Sequence, residues 1–166
     1  MEKRIVVLGE ISEFLIEFCK DLISRNLEVF LALKKNQELS MLKEIEGKVS
    51  LIKYNDEVDE IKFILKSIEP EIIYNLYGVN NKKELKELIE KVFLKNILLL
   101  EELRESNNSI LINVIEKTER DEKGNPLSVY TAVIDSLNKV NKFYRDFYKI
   151  ETSTTYIDEY KQALKI

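Results

Sequence analysis

The chain has no histidine, no tryptophan, one cysteine, two prolines and four glycines in 166 residues. Without histidine, every mechanism in which an imidazole moves a proton is excluded, the Ser-His-Asp triad included. With Cys19 alone, an intramolecular disulfide is excluded. The two scarcities together argue against zinc and other soft metals, whose usual ligands are Cys and His, and no metal site is expected. Positive charge is not in excess either: 26 Lys and Arg stand against 30 Asp and Glu, for a net charge of −4. The lysines are spread along helices, so nucleic acid is not an expected partner. No apolar run approaches the ~20 residues that cross a bilayer; the longest, Ile97-Leu98-Leu99-Leu100, is a piece of helix. The apolar run near the start is too short for a signal-peptide core. A soluble, cytoplasmic protein without a membrane partner is the expectation.

What is present is a globular composition, 45% hydrophobic and 34% charged, which fits one domain over residues 1–166. Short apolar runs alternate with stretches of helical period. Ile5–Leu8, Val29–Leu33, Val49–Ile52, Ile72–Leu76 and Ile110–Val114 read as strands buried on both faces. Ser12–Arg25, Gln37–Ile45, Val58–Ile68 and Lys82–Ser106 read as helices between them. A polar loop, Glu116–Pro126, then leads to a long helix over Leu127–Tyr148, a sixth strand over Glu151–Tyr156 and a short closing helix. Strict alternation predicts an α/β fold: a doubly wound parallel sheet of about six strands, Rossmann-like, with helices on both faces. Ser12 is placed to cap its helix. Pro70 marks a helix that has already ended. Cys19 lies in an apolar stretch and reads as a packing residue.

The first strand runs into Gly9-Glu10-Ile11-Ser12-Glu13-Phe14-Leu15. A dinucleotide-binding βαβ unit has G-x-G-x-x-G or a close variant at this turn. Only the first glycine is present. The missing glycines would let the backbone approach a pyrophosphate, and Glu10 and Glu13 put negative charge where a phosphate would meet a helix N-terminus. The turn is therefore expected to be empty, with no cofactor.

Further motifs lie downstream. Ile72-Ile73-Tyr74-Asn75-Leu76-Tyr77-Gly78 is similar to an N-x-A-G strand end, Asn96 to an asparagine within a long helix, Asn55-Asp56 to an acidic turn near adenine, and Pro126-Leu127-Ser128-Val129-Tyr130 to a segment carrying a catalytic tyrosine. In this order and spacing they resemble the short-chain dehydrogenase/reductase superfamily, including its extended branch of nucleotide-sugar epimerases and dehydratases. The resemblance implies NAD(P) chemistry, a Tyr-x-x-x-Lys pair in which the lysine lowers the tyrosine's pKa and binds the cofactor ribose, and a serine at the end of the fifth strand. Here Ile134 stands four residues after Tyr130, and the strand ends Asn113-Val114-Ile115. A tyrosine without a cationic neighbour keeps a pKa near 10, a poor match for general-base work at neutral pH. Tyr130 is thus a residual family position, and no catalytic residue is assigned. Gly9, Ser12, Asn55, Asp56, Asn75 and Gly78 are the vestigial cofactor positions. The bland reading of Tyr130 is a packing tyrosine with a backbone partner, and that of Asn96 a core asparagine linking backbone groups. Lys34 and Lys35 read as solvated loop charges rather than a 2′-phosphate site. Glu116, Glu119, Asp121 and Glu122 read as a solvated loop rather than a hard-cation site. The chain ends near the sixth strand, leaving no room for the substrate-binding segment of extended members.

The two long helices carry more than one apolar face. In Lys82–Ser106, Leu85, Leu88, Val92, Leu99 and Leu103 form one face, and Phe93, Ile97 and Leu100 a second; in the last long helix Val133, Leu137, Val140, Tyr144 and Phe147 form a seam. A second face needs a second cover. The resemblance implies a dimer in which these helices form a four-helix bundle. The expectation is a catalytically inactive relative of the superfamily that acts as a protein-interaction or assembly scaffold, as a homodimer or a heteromer. The alternatives are a small NAD(P)- or nucleotide-sugar-binding oxidoreductase or epimerase with a non-standard site, and a nucleotide-sensing module.

Overall fold

In β1 (Arg4–Leu8), Ile5 and Val7 pack on one face of a sheet and Val6 and Leu8 on the other, all four buried. That period-two division holds across the molecule. The computed structural model describes residues 3–55, 58–106 and 108–163. The elements follow as α1 (Glu13–Ser24), β2 (Glu28–Lys34), a 3-10 turn (Ser40–Glu44), β3 (Ser50–Tyr54), α2 (Val58–Ile68) and β4 (Ile72–Gly78). Then come α3 (Leu85–Glu87), a π-helical segment (Leu88–Leu94) and α4 (Lys95–Ser106), in one continuous helical run. The chain continues through β5 (Ile110–Ile115), α5 (Val129–Tyr148), β6 (Thr152–Tyr156) and α6 (Tyr160–Ala163). The six strands are all parallel in the order β3-β2-β1-β4-β5-β6, the expected doubly wound sheet.

Helices cover both faces. Leu15, Phe18, Cys19 and Leu22 of α1, with Tyr160 of α6, pack on Ile5, Leu31, Tyr74 and Val114. Ile61 and Leu65 of α2, with Leu99, Leu100 and Leu103 of α4, pack on Val6, Ile73 and Leu111. Leu88, Val92, Tyr130, Ile134 and Leu137 form a third cluster beneath the start of α5. Local signals set the ends. Ser12 caps α1 by accepting from Leu15 N–H at 3.2 Å, and Ser128 caps α5 by accepting from Thr131 N–H at 3.1 Å. α2 stops at Ile68, and Glu69 takes a positive φ before Pro70.

Three expectations need correction. β3 is not buried on both faces: it is an edge strand, paired only with β2, and Leu51 is exposed. The predicted helix over Gln37–Ile45 is only the 3-10 turn. The long helix expected from Lys82 starts at Leu85 and contains the π-helical segment. A π turn closes i→i+5 bonds and takes more residues per turn, so every residue beyond it is rotated from where a uniform 3.6-residue period would place it. Leu100, expected on a second face, is fully buried against the sheet together with Leu99 and Leu103, and Leu85, expected on the same face as Leu88, is exposed.

Candidate functional site

The chain leaves β1 toward β2 and β3 and returns to β4, so the sheet's winding reverses between β1 and β4. In doubly wound sheets the ligand crevice lies at the carboxyl ends of the strands at this point. Here the crevice starts with Gly9. A Cβ on Gly9 would meet Leu76 Cβ at 2.9 Å and Leu15 Cδ1 at 3.3 Å, so the glycine serves the packing of α1 against β4. The next residue, Glu10, is gripped by two lysines: Lys91 Nζ lies 2.7 Å from Oε1 and Lys83 Nζ 3.0 Å from Oε2. Lys91 also bonds Glu87 at 2.8 Å. The Lys83 side chain is only 4% exposed. Burial pushes the Glu10 carboxyl up, but the hydrogen bonds from Lys91 and Lys83 outweigh it and hold the group below its ordinary value. The turn's amides are engaged as well. Ile11 N–H donates to Gln37 Oε1 at 2.6 Å, and Leu15 N–H is taken by Ser12. The remaining cavity, between Glu10, Ser12, Leu76, Val79 and Lys83, measures about 90 Å³. Ligand pockets usually run to ~300–1,000 Å³.

Farther along the crevice, Asn75 and Asn113 sit opposite one another on β4 and β5. Asn75 Nδ2 donates to Asn113 Oδ1 at 2.8 Å, and Asn75 Oδ1 accepts from Tyr77 N–H at 3.2 Å. Gly78 lets β5 come close, since a Cβ there would meet Ile115 Cγ2 at 2.7 Å. Tyr130 is buried beside it. Its hydroxyl donates to the Gly78 carbonyl at 2.7 Å and accepts from Glu116 N–H at 2.9 Å. Burial pushes its phenol well above the ordinary tyrosine value. The hydroxyl thus ties the ends of β4 and β5 to α5.

Asn55 is bound to Glu60, by its side-chain amide at 2.9 Å and by its backbone N–H. Asp56 lies outside the described residues. Sequence reasoning missed the neighbouring group. Tyr54 of β3 and Tyr77 of β4 are buried and hydrogen-bonded to each other through their hydroxyls. Since β2 and β1 lie between those strands, the pair spans the mouth of the crevice on the α2–α4 face. Lys95 of α4 is buried with Nζ 5.7 Å from both ring centroids, within cation–π reach. The only signal in the sequence was a lysine between Val92 and Leu99 on a buried face. Asn96 was expected to link backbone groups; instead its Nδ2 donates to Asn141 Oδ1 at 2.9 Å across α4 and α5.

Of the expected interface residues, Leu100, Leu137, Val133 and Tyr144 are buried in the chain's own cores. Tyr144 also donates its hydroxyl to Glu101. These four interface candidates thus serve the chain's own packing. Phe93, Ile97 and Val140 are half-buried, and Phe147 is 73% exposed. Two of the expected residues, Phe93 and Val133, line an open apolar groove of about 260 Å³ between the α3–π run and α5, together with Leu85, Ile89, Val129 and Ala132. Farther along α5, Phe143 and Phe147 stack with centroids 4.8 Å apart, both exposed.

Asp121 folds its loop by accepting from Asn125 N–H at 2.7 Å and Lys123 N–H at 2.9 Å. Among the described residues no group of three or more Cys, Asp or Glu converges as for a metal ion, and no helix is long and apolar enough to cross a membrane. Cys19 is buried, and burial pushes its thiol up to about 12.

No protein-family model and no curated protein sequence matches the chain. Solved structures do match it in fold. A dTDP-glucose 4,6-dehydratase from Bacillus anthracis, in complex with NAD, superposes with a TM-score of 0.70 at 17% identity, over 93% of this chain and 54% of that one. A UDP-glucose 4-epimerase from Thermotoga maritima, with UDP-glucose, gives 0.67 at 14% identity, over 91% and 54%. A glucuronic acid dehydrogenase from Chromohalobacter salexigens gives 0.74 at 14% identity, over 99% and 71%. The chain has the Rossmann-like fold of these structures, and it spans about half the length of the first two.

Proposed function

We propose that this chain is a catalytically inactive relative of the short-chain dehydrogenase/epimerase superfamily that keeps the fold as a scaffold and works by binding another protein chain. The observation that carries the reading is the use of Tyr130. At the family's proton-transfer position the hydroxyl is buried and committed to two backbone groups, with Ile134 where the resemblance implies a lysine. A general base must reach its substrate's proton with a suitable pKa, and this phenol has neither access nor a cationic neighbour in its sequence motif. The crevice supports the same reading: Glu10, Lys83 and Lys91 fill one side and Tyr54 and Tyr77 the other. The apolar groove and the Phe143–Phe147 patch supply the binding surface. Contiguous exposed apolar area rimmed by polar residues marks an interaction site, and a two-fold pairing of the same face is the commonest assembly. A second copy of this chain is the partner this surface favours; a catalytically active paralogue is the other.

One observation favours a second reading, that of a nucleotide-binding enzyme or sensor: a dehydratase sharing the fold was solved with NAD. Calorimetry separates the two. The scaffold reading expects no heat of binding with NAD(H) or NADP(H) at about 1 mM, whereas a dissociation constant of about 1 μM, near −8 kcal/mol, overturns it.

A further inference from the structure

Lys83, from the loop before α3, and Lys91, from the π-helical segment, converge on one carboxylate more than seventy residues away in sequence. The Lys83 ammonium carries the stronger demand. Its side chain is 96% buried, Glu10 is the acidic partner the described residues give it, and a buried charge is stable only when paired. Lys91 is shared between Glu10 and Glu87. With Glu10 in place the four charges sum to zero; without it the two lysines face Glu87 alone, and the pocket is left positive. The cavity beside Lys83 also touches Ser12 and the first residues of α1, so a group entering it meets the Lys83 ammonium and the end of a helix that favours negative charge. Its 90 Å³ suits a single phosphate-sized group and not a dinucleotide.

We infer that Glu10 is an internal anion occupying a phosphate-type site formed by Lys83 and Lys91, and that removing its charge converts the closed turn into a binding site for a small phosphate-bearing ligand. The inference deepens the scaffold reading, on which it rests. The lysine pair was invisible in the turn's own sequence, where the glutamate reads only as repulsive. In the folded chain its charge is fully compensated, so closure is an attractive contact that a competing anion must displace. A point-charge pair of lysines takes phosphate without the bidentate geometry of arginine, and the contact is screened by salt.

The test uses inorganic phosphate as probe on the full chain, with calorimetry on the parent, Glu10→Ala, Glu10→Gln and Glu10→Ala/Lys83→Met. Circular dichroism checks that each is folded. Both Glu10 variants are expected to bind phosphate at least about tenfold more tightly than the parent, a step of about 1.4 kcal/mol. The gain should fall as sodium chloride is raised and vanish in the double variant. Glu10→Gln keeps the side chain's size, so it stands in if Glu10→Ala does not fold. A folded Glu10→Gln with no gain overturns the inference, as does a parent that binds as tightly as the variants, or a gain that survives Lys83→Met. NAD(H) binding by the parent overturns the scaffold reading instead, so the two failures are distinct.

Discussion

The Tyr130 hydroxyl lies 2.7 Å from the carbonyl oxygen of Gly78 and accepts the Glu116 N–H at 2.9 Å. One phenol thereby joins the C-terminal ends of two neighbouring strands to the first turn of α5. Tyr130→Phe keeps the ring and deletes both bonds, leaving the Gly78 carbonyl and the Glu116 N–H only their long 3.4 Å contact with each other. The expected cost is about 1–3 kcal/mol, read as a lower urea midpoint at unchanged m-value, with association unaltered. A folded variant of full stability that has lost its cellular function would make Tyr130 catalytic.

The carboxyl of Glu10 is held below its ordinary value of 4.5 in the folded chain. The groups facing it are Lys83 and Lys91, and Glu87 competes for Lys91. For a lowered carboxyl, the folded state binds fewer protons than the unfolded one, so the stabilisation is complete above 4.5 and is lost as pH falls through the folded value. Thermal melts of the parent and Glu10→Gln should differ most near neutrality, with the parent higher, and converge in acid. Parallel curves across that range would contradict the pairing.

Two residues of the apolar helices should behave in opposite ways. Leu100 is fully buried against the sheet, and Phe147 is 73% exposed. Leu100→Ala should cost about 2–5 kcal/mol through lost burial and a cavity and leave the solution mass unchanged. Phe147→Ser should stay within about 0.5 kcal/mol of the parent, as exposed substitutions do, and weaken association. Denaturant melts with sizing of the same samples check both.

Gly9→Ala tests the packing at the start of the crevice. Its Cβ would stand 2.9 Å from Leu76 Cβ, and overpacking of this kind costs about 1–3 kcal/mol. A variant as stable as the parent would show that α1 yields there.

The sheet was legible because its signal is local. Ile5–Leu8 and its counterparts are short unbroken apolar runs, and the intervening helices repeat at their own period. The edge position of β3 was not, because order within a sheet is a property of the whole chain; Leu51 looks the same on an edge as in the centre. Leu100 was misplaced because it lies beside Leu99 and Leu103 on the helix, and spacing alone does not say how wide a buried stripe is. At the site, the loss of the glycines, the lysine and the serine could be read residue by residue. What compensates Glu10 could not, since Lys91 stands 81 positions away and only the fold brings them together. Tyr54, Tyr77 and Lys95 were missed for the same reason.

Light scattering of the parent and of Phe93→Glu, at protein concentrations of about 10–100 μM, addresses the binding surface directly. Phe93 lines the open groove between the α3–π run and α5, and a carboxylate there would be buried unpaired in any pairing of that face, at a cost that abolishes it. The parent should have twice the mass of one chain and Phe93→Glu, still folded by circular dichroism, the mass of one. A parent that stays at the single-chain mass throughout this range, or a variant that remains paired, would contradict assembly through this face.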